Sequence, residues 1–195
     1  MQINYHLNWK SHINLILPKM YAACFALRRL FYVLNIDAVW IVDFAYFCSM
    51  IIYGIILGGN STNTGRVFLS QMRTLRTIVG VGCTCACRGL FRKLDILPVP
   101  CLYVFSLIMF VFNNLENFQT NSSVHRMNTR TKTHWHRPVA NLSYFQKGVS
   151  YFSIKIFNSL LTSILEKKMI NCTFRLNCRS ILLLLLLLLL PPPTI

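Results

Sequence analysis

The stretch RVFLSQMRTLRTIV, residues 66–79, sets the fold class of this chain. On a helix that turns about 100° per residue, its apolar side chains gather on one arc and its arginines on the opposite arc, with Leu69 and Gln71 as exceptions. The segment is therefore predicted to be an amphipathic helix whose arginine face is either solvated or in contact with phosphate groups. The apolar arc holds Val67, Phe68, Met72, Leu75, Ile78 and Val79, and the polar arc holds Ser70, Arg73, Thr74, Arg76 and Thr77.

The residues that precede this segment extend the helical prediction. Residues 19–34 contain good helix formers, and Pro18 stands where a proline is tolerated at the first position of a helix. Residues 38–57 form an apolar run broken only by Asp43, which predicts a buried core helix or a membrane-spanning helix. The core helix is the preferred interpretation, because an aspartate near the centre of a membrane span costs about 2.5–3.5 kcal/mol.

The residues that follow divide into four parts. Residues 88–95 predict a short basic helix, and residues 96–112 predict a buried helix whose start is interrupted by prolines. Residues 113–138 have no apolar period and are predicted to be a polar basic loop or a disordered arm. Residues 139–168 return to apolar spacing and predict a C-terminal helical segment. Residues 169–195, with nine consecutive leucines followed by three prolines, form a low-complexity tail.

Charge limits the classes of function. The chain has 20 Lys and Arg against 5 Asp and Glu, a net charge of +15, and 54% hydrophobic residues. A soluble enzyme of mixed charge is therefore a poor match, whereas a polyanionic partner, either nucleic acid or an anionic membrane surface, fits. The acidic residues are too far apart along the chain to prepare a local pair of carboxylates for metal or acid–base chemistry.

Cysteine and histidine motifs give weak signals for metal. Cys83, Cys85 and Cys87 alternate with single residues, a spacing tighter than the usual zinc-ligand pair, so a turn is the simpler interpretation. His134 and His136 are also candidate ligands, but Trp135 between them equally offers a platform for a base or a ribose. Reduced thiols are expected, because residues 1–17 have no signal-peptide pattern. Neither a metal nor another cofactor is predicted.

Several strings, occurring in a fixed order between residues 7 and 168, resemble the C-terminal part of the reverse transcriptase polyprotein of arthropod non-LTR retrotransposons. The strings are LNWKSHI (7–13), ACFALRRL (23–30), AYFCSMIIYGIILGGNS (45–61), CRGLFRKLDILPVPC (87–101), RPVANLSYFQKGV (137–149) and IKIFNSL (154–160). In such polyproteins this part follows the polymerase palm and includes thumb-like helices that contact the template–primer duplex. The resemblance implies that residues 7–112 are a helical, thumb-like region.

The same resemblance implies that the chain is not an enzyme by itself. The chemistry of the family depends on an aromatic-x-Asp-Asp motif and a further palm aspartate that hold two metal ions, and no Asp-Asp pair occurs in the sequence. No catalytic residue is therefore assigned. Some positions also depart from the family pattern: Cys48, Gly58 and Leu161 stand where histidine, tryptophan and proline are typical.

These observations predict a catalytically incomplete remnant of an RNA-directed DNA polymerase, located in the cytoplasm or nucleus if it is expressed. Its remaining activity would be nonspecific binding to the backbone of RNA or DNA. The alternatives are a small basic membrane protein that uses residues 38–57 and 96–112 as helices, or a chain with too much exposed apolar surface to fold stably. The predicted nucleic-acid-binding residues are Arg66, Arg73, Arg76, Arg88, Arg92, Lys93, Arg126, Arg130, Lys132 and Arg137.

Overall fold

The computed structural model is mainly helical in the part of the chain that it describes, where β pairing is limited to an isolated antiparallel bridge between Thr120 and Trp135. The predicted mainly α fold is therefore confirmed. The described residues up to Leu102 form one compact unit, and those from Tyr103 onward form a second. The described residues are 9–30, 32–33, 36–42, 45–46, 49–94, 96–125 and 130–159.

The first unit is built around one long helix, α5, which packs chiefly against α1 and also contacts α2 and α6. Its apolar contacts form two clusters. Ile78 of α5 joins Leu27 and Val39 in one of them, and Leu75 joins Phe91 and other residues around α6 in the second. The helices of this unit are α1 (Lys10–Leu30), α2 (Ile36–Val42), α3 (Ser49–Ile52), α4 (Ile55–Gly58), α5 (Thr64–Val79) and α6 (Cys87–Lys93).

The amphipathic helix predicted at residues 66–79 is confirmed as α5. It ends at Gly80, which has a φ of 71° and donates its N–H to the carbonyls of Arg76 and Thr77. The predicted polar arc is only partly exposed to solvent in the structure, because Ser70 and Thr74 are buried. Thr74 remains satisfied in this environment, since its hydroxyl donates to the Ser70 carbonyl at 3.1 Å. Other helices therefore cover α5 on more than its apolar arc.

The side chain of Gln71 on α5 binds the backbone at the start of the next long helix, α7 (Val99–Asn113). Its Nε2 donates to the Leu97 carbonyl at 3.0 Å, and its Oε1 accepts the Val99 N–H at 2.9 Å. Gln71 is only 2% exposed, so both bonds lie in the interior of the unit. The glutamine side chain thus supplies the hydrogen bonds that these two buried backbone groups would otherwise lack.

Helix α1 is longer than the sequence indicated. A helix over residues 19–34 with Pro18 at its first position was predicted, but α1 runs from Lys10 to Leu30 and contains Pro18 in its interior. This boundary prediction is wrong because burial overrides the proline. Ile13, Leu17 and Met20 lie on both sides of it and are all buried, so the core holds the two halves in one helix.

The apolar run at residues 38–57 is not the continuous buried helix that was predicted. Gly54 interrupts the run between α3 and α4 with a left-handed φ of 82°, and its other described helical residues up to Val42 belong to α2. The apolar composition is nevertheless used in the core, since Val39, Ile51 and Ile55 are buried. None of the helices within the described ranges has the length and apolar character needed to cross a membrane.

Gly58, at the end of α4, lies directly under the indole ring of Trp9. A Cβ atom on this glycine would approach the ring at 3.1 Å from Cδ2 and 3.2 Å from Cε3. Trp9 also contacts His12 edge to face, with ring centroids 5.8 Å apart, and burial lowers the pKa of this histidine. The Trp9 indole therefore covers the Gly58 backbone and leaves little room for a side chain there.

The second unit is formed around helices α7 and α10. Helix α7 spans Val99–Asn113, and its residues from Tyr103 onward belong to this unit. Ile108 and Val111 of α7 pack with Phe157 of α10 in the main apolar cluster. The buried helix predicted in residues 96–112 is confirmed. After α7 follow a 3-10 turn (Leu115–Asn117), α8 (Asn121–His125), α9 (Ser143–Gln146) and α10 (Val149–Ser159).

Helices α9 and α10 agree with the helical segment predicted at residues 139–168, whose last residues, like the tail at 169–195, lie outside the described residues. The described part of the polar segment 113–138 contains more structure than a loop or disordered arm. The Asn121 N–H donates to the His134 carbonyl at 2.9 Å, and the His136 N–H donates to the Gln119 carbonyl at 2.7 Å. These bonds pair residues 119–121 with residues 134–136.

Candidate nucleic-acid interface

Three arginines of the first unit line one open groove of about 650 Å³ between α1 and α5. Arg28 comes from the last turn of α1, whereas Arg73 and Arg76 come from α5. Tyr32, just beyond the end of α1, lines the same groove. We call this site the arginine groove and define it by Arg28, Tyr32, Arg73 and Arg76. Its remaining lining residues are Cys24, Thr77, Gly80, Val81 and Cys83.

The packing of α1 on α5 brings these cations together. Arg73 and Arg76 are three positions apart and therefore neighbours on one side of α5. The half-buried Cys24 of α1 lies 3.7 Å from the Thr77 hydroxyl of α5, measured from its Sγ atom, which ties the two helices together beside the groove. The arginines of α5 thus face the end of α1 that carries Arg28.

Two of the arginines have defined positions. The guanidinium carbon of Arg73 lies 5.8 Å from the centroid of the Tyr21 ring, within the range of a cation–π contact. Arg76 is half-buried, and its Nε donates to the Cys85 carbonyl at 2.9 Å. That bond uses one of the five N–H donors of the guanidinium and also holds the turn between α5 and α6. Arg76 therefore contributes both to the structure of this turn and to the charge of the groove.

The groove has a strongly positive lining. It contains three guanidinium groups and, among the described residues that line it, no Asp or Glu. The planar guanidinium matches the geometry of phosphate oxygens and is weakly hydrated, so it binds phosphate well. Arg28 and Arg73 are exposed, which allows a ligand in solution to reach them. The site is chemically suited to a phosphate-bearing anion.

The structure brings only part of the predicted binding set into this groove. Arg73 and Arg76 belong to it, whereas Arg66 is exposed on α5 and donates from Nη1 to the Asn14 side chain at 2.9 Å. Arg88, Arg92 and Lys93 lie on α6 and are not among the lining residues. In the second unit, Arg130, Lys132 and Arg137 are exposed, and Arg126 lies outside the described residues.

Sequence reasoning missed Arg28 as a site residue. It lies in the string ACFALRRL, but the wrong helix boundary hid the fact that α1 ends two residues after it. Its neighbour Arg29 does not line the groove, and its guanidinium carbon lies 5.4 Å from the centroid of the Phe25 ring. Basic residues in the last turn of a helix complement its dipole, and this was the signal available in the sequence.

The cysteines at positions 83, 85 and 87 occupy different environments. Cys83 is exposed on the groove, Cys85 is half-buried, and Cys87 is buried with its Sγ 3.7 Å from the Met72 carbonyl. Burial raises the pKa of Cys87, although the positive charge of Arg76 partly opposes this effect. Across the described ranges, no three or more His, Cys, Asp or Glu side chains are grouped so that they could hold a metal ion.

The aromatic and histidine residues of the polar segment also differ from expectation. Trp135 packs with its ring centroid 6.3 Å from that of Phe118 and belongs to the apolar cluster of the second unit. This position argues against its predicted role as a stacking platform. His136 contacts the ring of His125, with centroids 5.1 Å apart, and its Nδ1 lies 3.4 Å from the Asn121 side-chain oxygen.

Comparisons of the chain with protein-family models, with curated proteins and with solved structures found no match.

Proposed function

We propose that this chain derives from the region that follows the palm in a non-LTR retrotransposon reverse transcriptase, and that it binds the backbone of nucleic acid without sequence specificity. The ordered strings between residues 7 and 168 support the origin. The net charge of +15 supports a polyanionic partner. The proposal assigns no catalytic step to the chain.

The observation that carries the binding proposal is the arginine groove. Arg28, Arg73 and Arg76 come from two helices and line one groove that has no carboxylate among its described lining residues. Packing between α1 and α5 fixes the backbone positions of all three residues before a ligand arrives. A ligand therefore does not have to gather these charges, which lowers the entropic cost of binding.

The binding would be electrostatic in mechanism. Each guanidinium that neutralises a phosphate releases condensed counterions from the nucleic acid, and this release weakens binding as salt rises. Three contacts predict a slope of log K against log salt of about −2 for a single strand. The contacts carry no base identity, because phosphate oxygens are the same at every position.

The test is fluorescence anisotropy with a labelled oligonucleotide, titrated with the full chain at several salt concentrations. Because each single-strand contact contributes about 0.7 to the slope, Arg28→Gln and Arg73→Gln should each reduce its magnitude by about 0.7 and the double variant by about 1.4. All three variants should bind more weakly at low salt. Arg76 is left intact, because its bond to Cys85 also supports the fold.

Arg29→Gln is the matched control. This arginine is exposed, is next to Arg28 on the same helical turn, and does not line the groove. Equal losses from Arg29→Gln and Arg28→Gln would show that only overall charge matters. Binding that does not respond to salt would overturn the proposal.

A further inference from the structure

We propose that the arginine groove binds single-stranded nucleic acid, with phosphates on Arg28, Arg73 and Arg76 and an unpaired base stacked on the ring of Tyr32. This inference rests on the proposed function and narrows its ligand to one form of nucleic acid.

The first observation is the exposure of Tyr32. The residue lines the groove and is 81% exposed, an unusually open position for a large aromatic side chain. Its N–H donates to the Arg29 carbonyl at 3.3 Å, so the turn after α1 anchors its backbone beside the groove. With 81% of its surface exposed, the tyrosine offers an apolar ring face to solvent beside the groove, which suits stacking with any base.

The second observation is the chemistry of the groove around this ring. Arg28 lies on the helical turn that leads into Tyr32, and Arg73 and Arg76 line the same groove from α5. An aromatic face beside a row of cations is the combination by which proteins bind single strands, because the cations follow the backbone while the ring receives a base. The groove therefore offers sites for both parts of a nucleotide.

The third observation is the size of the site. A volume of about 650 Å³ falls in the range of sites for small organic ligands, about 300–1,000 Å³. The bases of a duplex are stacked on one another and paired, so they cannot offer a face to Tyr32 without unstacking. A single strand can place a phosphate and an unpaired base in the groove together. The duplex can use only the phosphate contacts.

The experiment compares a 12-nucleotide oligothymidine strand with a 12-base-pair duplex, both carrying the same fluorophore, in anisotropy titrations of the full chain at one salt concentration. The strand should bind at least about fivefold more tightly than the duplex. Tyr32→Leu should remove this preference by weakening only binding to the strand, whereas Tyr32→Trp should retain it. Circular dichroism checks that each variant is as helical as the parent.

Tyr46→Leu serves as the control, because Tyr46 is also exposed and does not line the groove. Equal affinity for strand and duplex, or a Tyr32→Leu variant that binds the strand as well as the parent does, would overturn this inference and leave the proposed function standing. Absence of salt-dependent binding to both probes would overturn the proposed function together with it.

Discussion

Asn158 on α10 binds the backbone of Trp135 at both of its polar groups. The Trp135 N–H donates to Asn158 Oδ1 at 3.0 Å, and Asn158 Nδ2 donates to the Trp135 carbonyl at 2.9 Å. The two residues are 23 positions apart, so this side chain closes a long loop. The position of Trp135 thus depends on a contact that the polar composition around this residue does not reveal.

Replacement of Asn158 should therefore loosen this segment. In Asn158→Ala both polar groups of Trp135 lose their partner, which should lower the free energy of unfolding by about 1–3 kcal/mol. Hydrogen exchange followed by mass spectrometry should show faster exchange at the Trp135 amide. Asn117→Ala, at an exposed asparagine of the 3-10 turn, is the control and should leave that exchange rate unchanged. Unchanged exchange in Asn158→Ala would contradict the assigned role.

Gln71 should be among the most sensitive polar positions of the first unit. Gln71→Leu keeps the side chain about the same size but leaves the Leu97 carbonyl and the Val99 N–H unpaired in the interior, so a loss of about 2–4 kcal/mol is expected. Urea denaturation measures this change. Gln146→Leu removes an exposed bond to the Ala140 carbonyl and should cost less than about 1 kcal/mol. Equal effects of the two substitutions would refute the importance of burial here.

The contact between Gly58 and Trp9 should appear as coupling in a double-mutant cycle. Gly58→Ala places a methyl group at 3.1 Å from the indole and should destabilise the chain by about 1–2 kcal/mol. In a Trp9→Ala background the same change should be neutral or stabilising, because alanine favours a helix over glycine by about 1 kcal/mol.

Gly65→Ala is the comparison for this cycle, since a Cβ at Gly65, in the first turn of α5, meets nothing within 4 Å. It should not destabilise the chain in either background. Additive effects of Gly58→Ala and Trp9→Ala would show that the indole moves aside freely. A side chain larger than alanine at position 58 would require the Trp9 indole to occupy another place.

Stability should fall in alkaline solution. Burial raises the pKa of Cys101 from 9.0 to about 12 and that of Tyr103 from 10.0 to about 12. Between the lower and the higher pKa of each group, the unfolded chain has released a proton that the folded chain retains. Each group therefore lowers the unfolding free energy by up to about 1.4 kcal/mol per pH unit in that interval. Unfolding in urea at pH 8, 9, 10 and 11 measures this fall.

The variant Cys101→Ala isolates the contribution of the thiol. It should lose stability at pH 8 through the smaller side chain, but its stability should decline less steeply above about pH 9 than that of the parent. Cys83→Ala, which removes an exposed thiol, controls for the loss of a cysteine outside the core. Parallel profiles for Cys101→Ala and the parent would show that this thiol ionises as readily in the folded chain as in the unfolded chain.

How far the sequence predicted the fold depended on whether local signals agreed with the core. Helix α5 was predicted because its apolar and arginine side chains fall on opposite arcs, and α7 because its uninterrupted apolar run is too short to span a bilayer and therefore favours a buried helix. The beginning of α1 was missed because Pro18 is a local stop signal that burial of Leu17 and Met20 overrides. Burial depends on partners far along the chain, and no local pattern contains them.

The candidate site was predicted only in part, again because some of its residues are brought together by contacts between distant parts of the chain. The arginines of α5 were identified from one helical face, whereas Arg28 joins them only through the packing of α1 on α5. Trp135 was assigned to solvent because its neighbours are polar, but its ring contacts Phe118, just after the 3-10 turn, and packs against the apolar cluster formed by α7 and α10. In both cases the missing information was a contact between distant residues.

Pro18 also constrains the order in which the helices form. A proline inside a helix costs about 3 kcal/mol, so an isolated α1 should not be continuous, whereas α5 contains no proline and ends at a favourable glycine. We expect α5 to be structured in the folding transition state, with Leu75→Ala slowing refolding and Ile13→Val chiefly accelerating unfolding in stopped-flow measurements. The two halves of α1 then join into one helix late in folding, when they pack against α5.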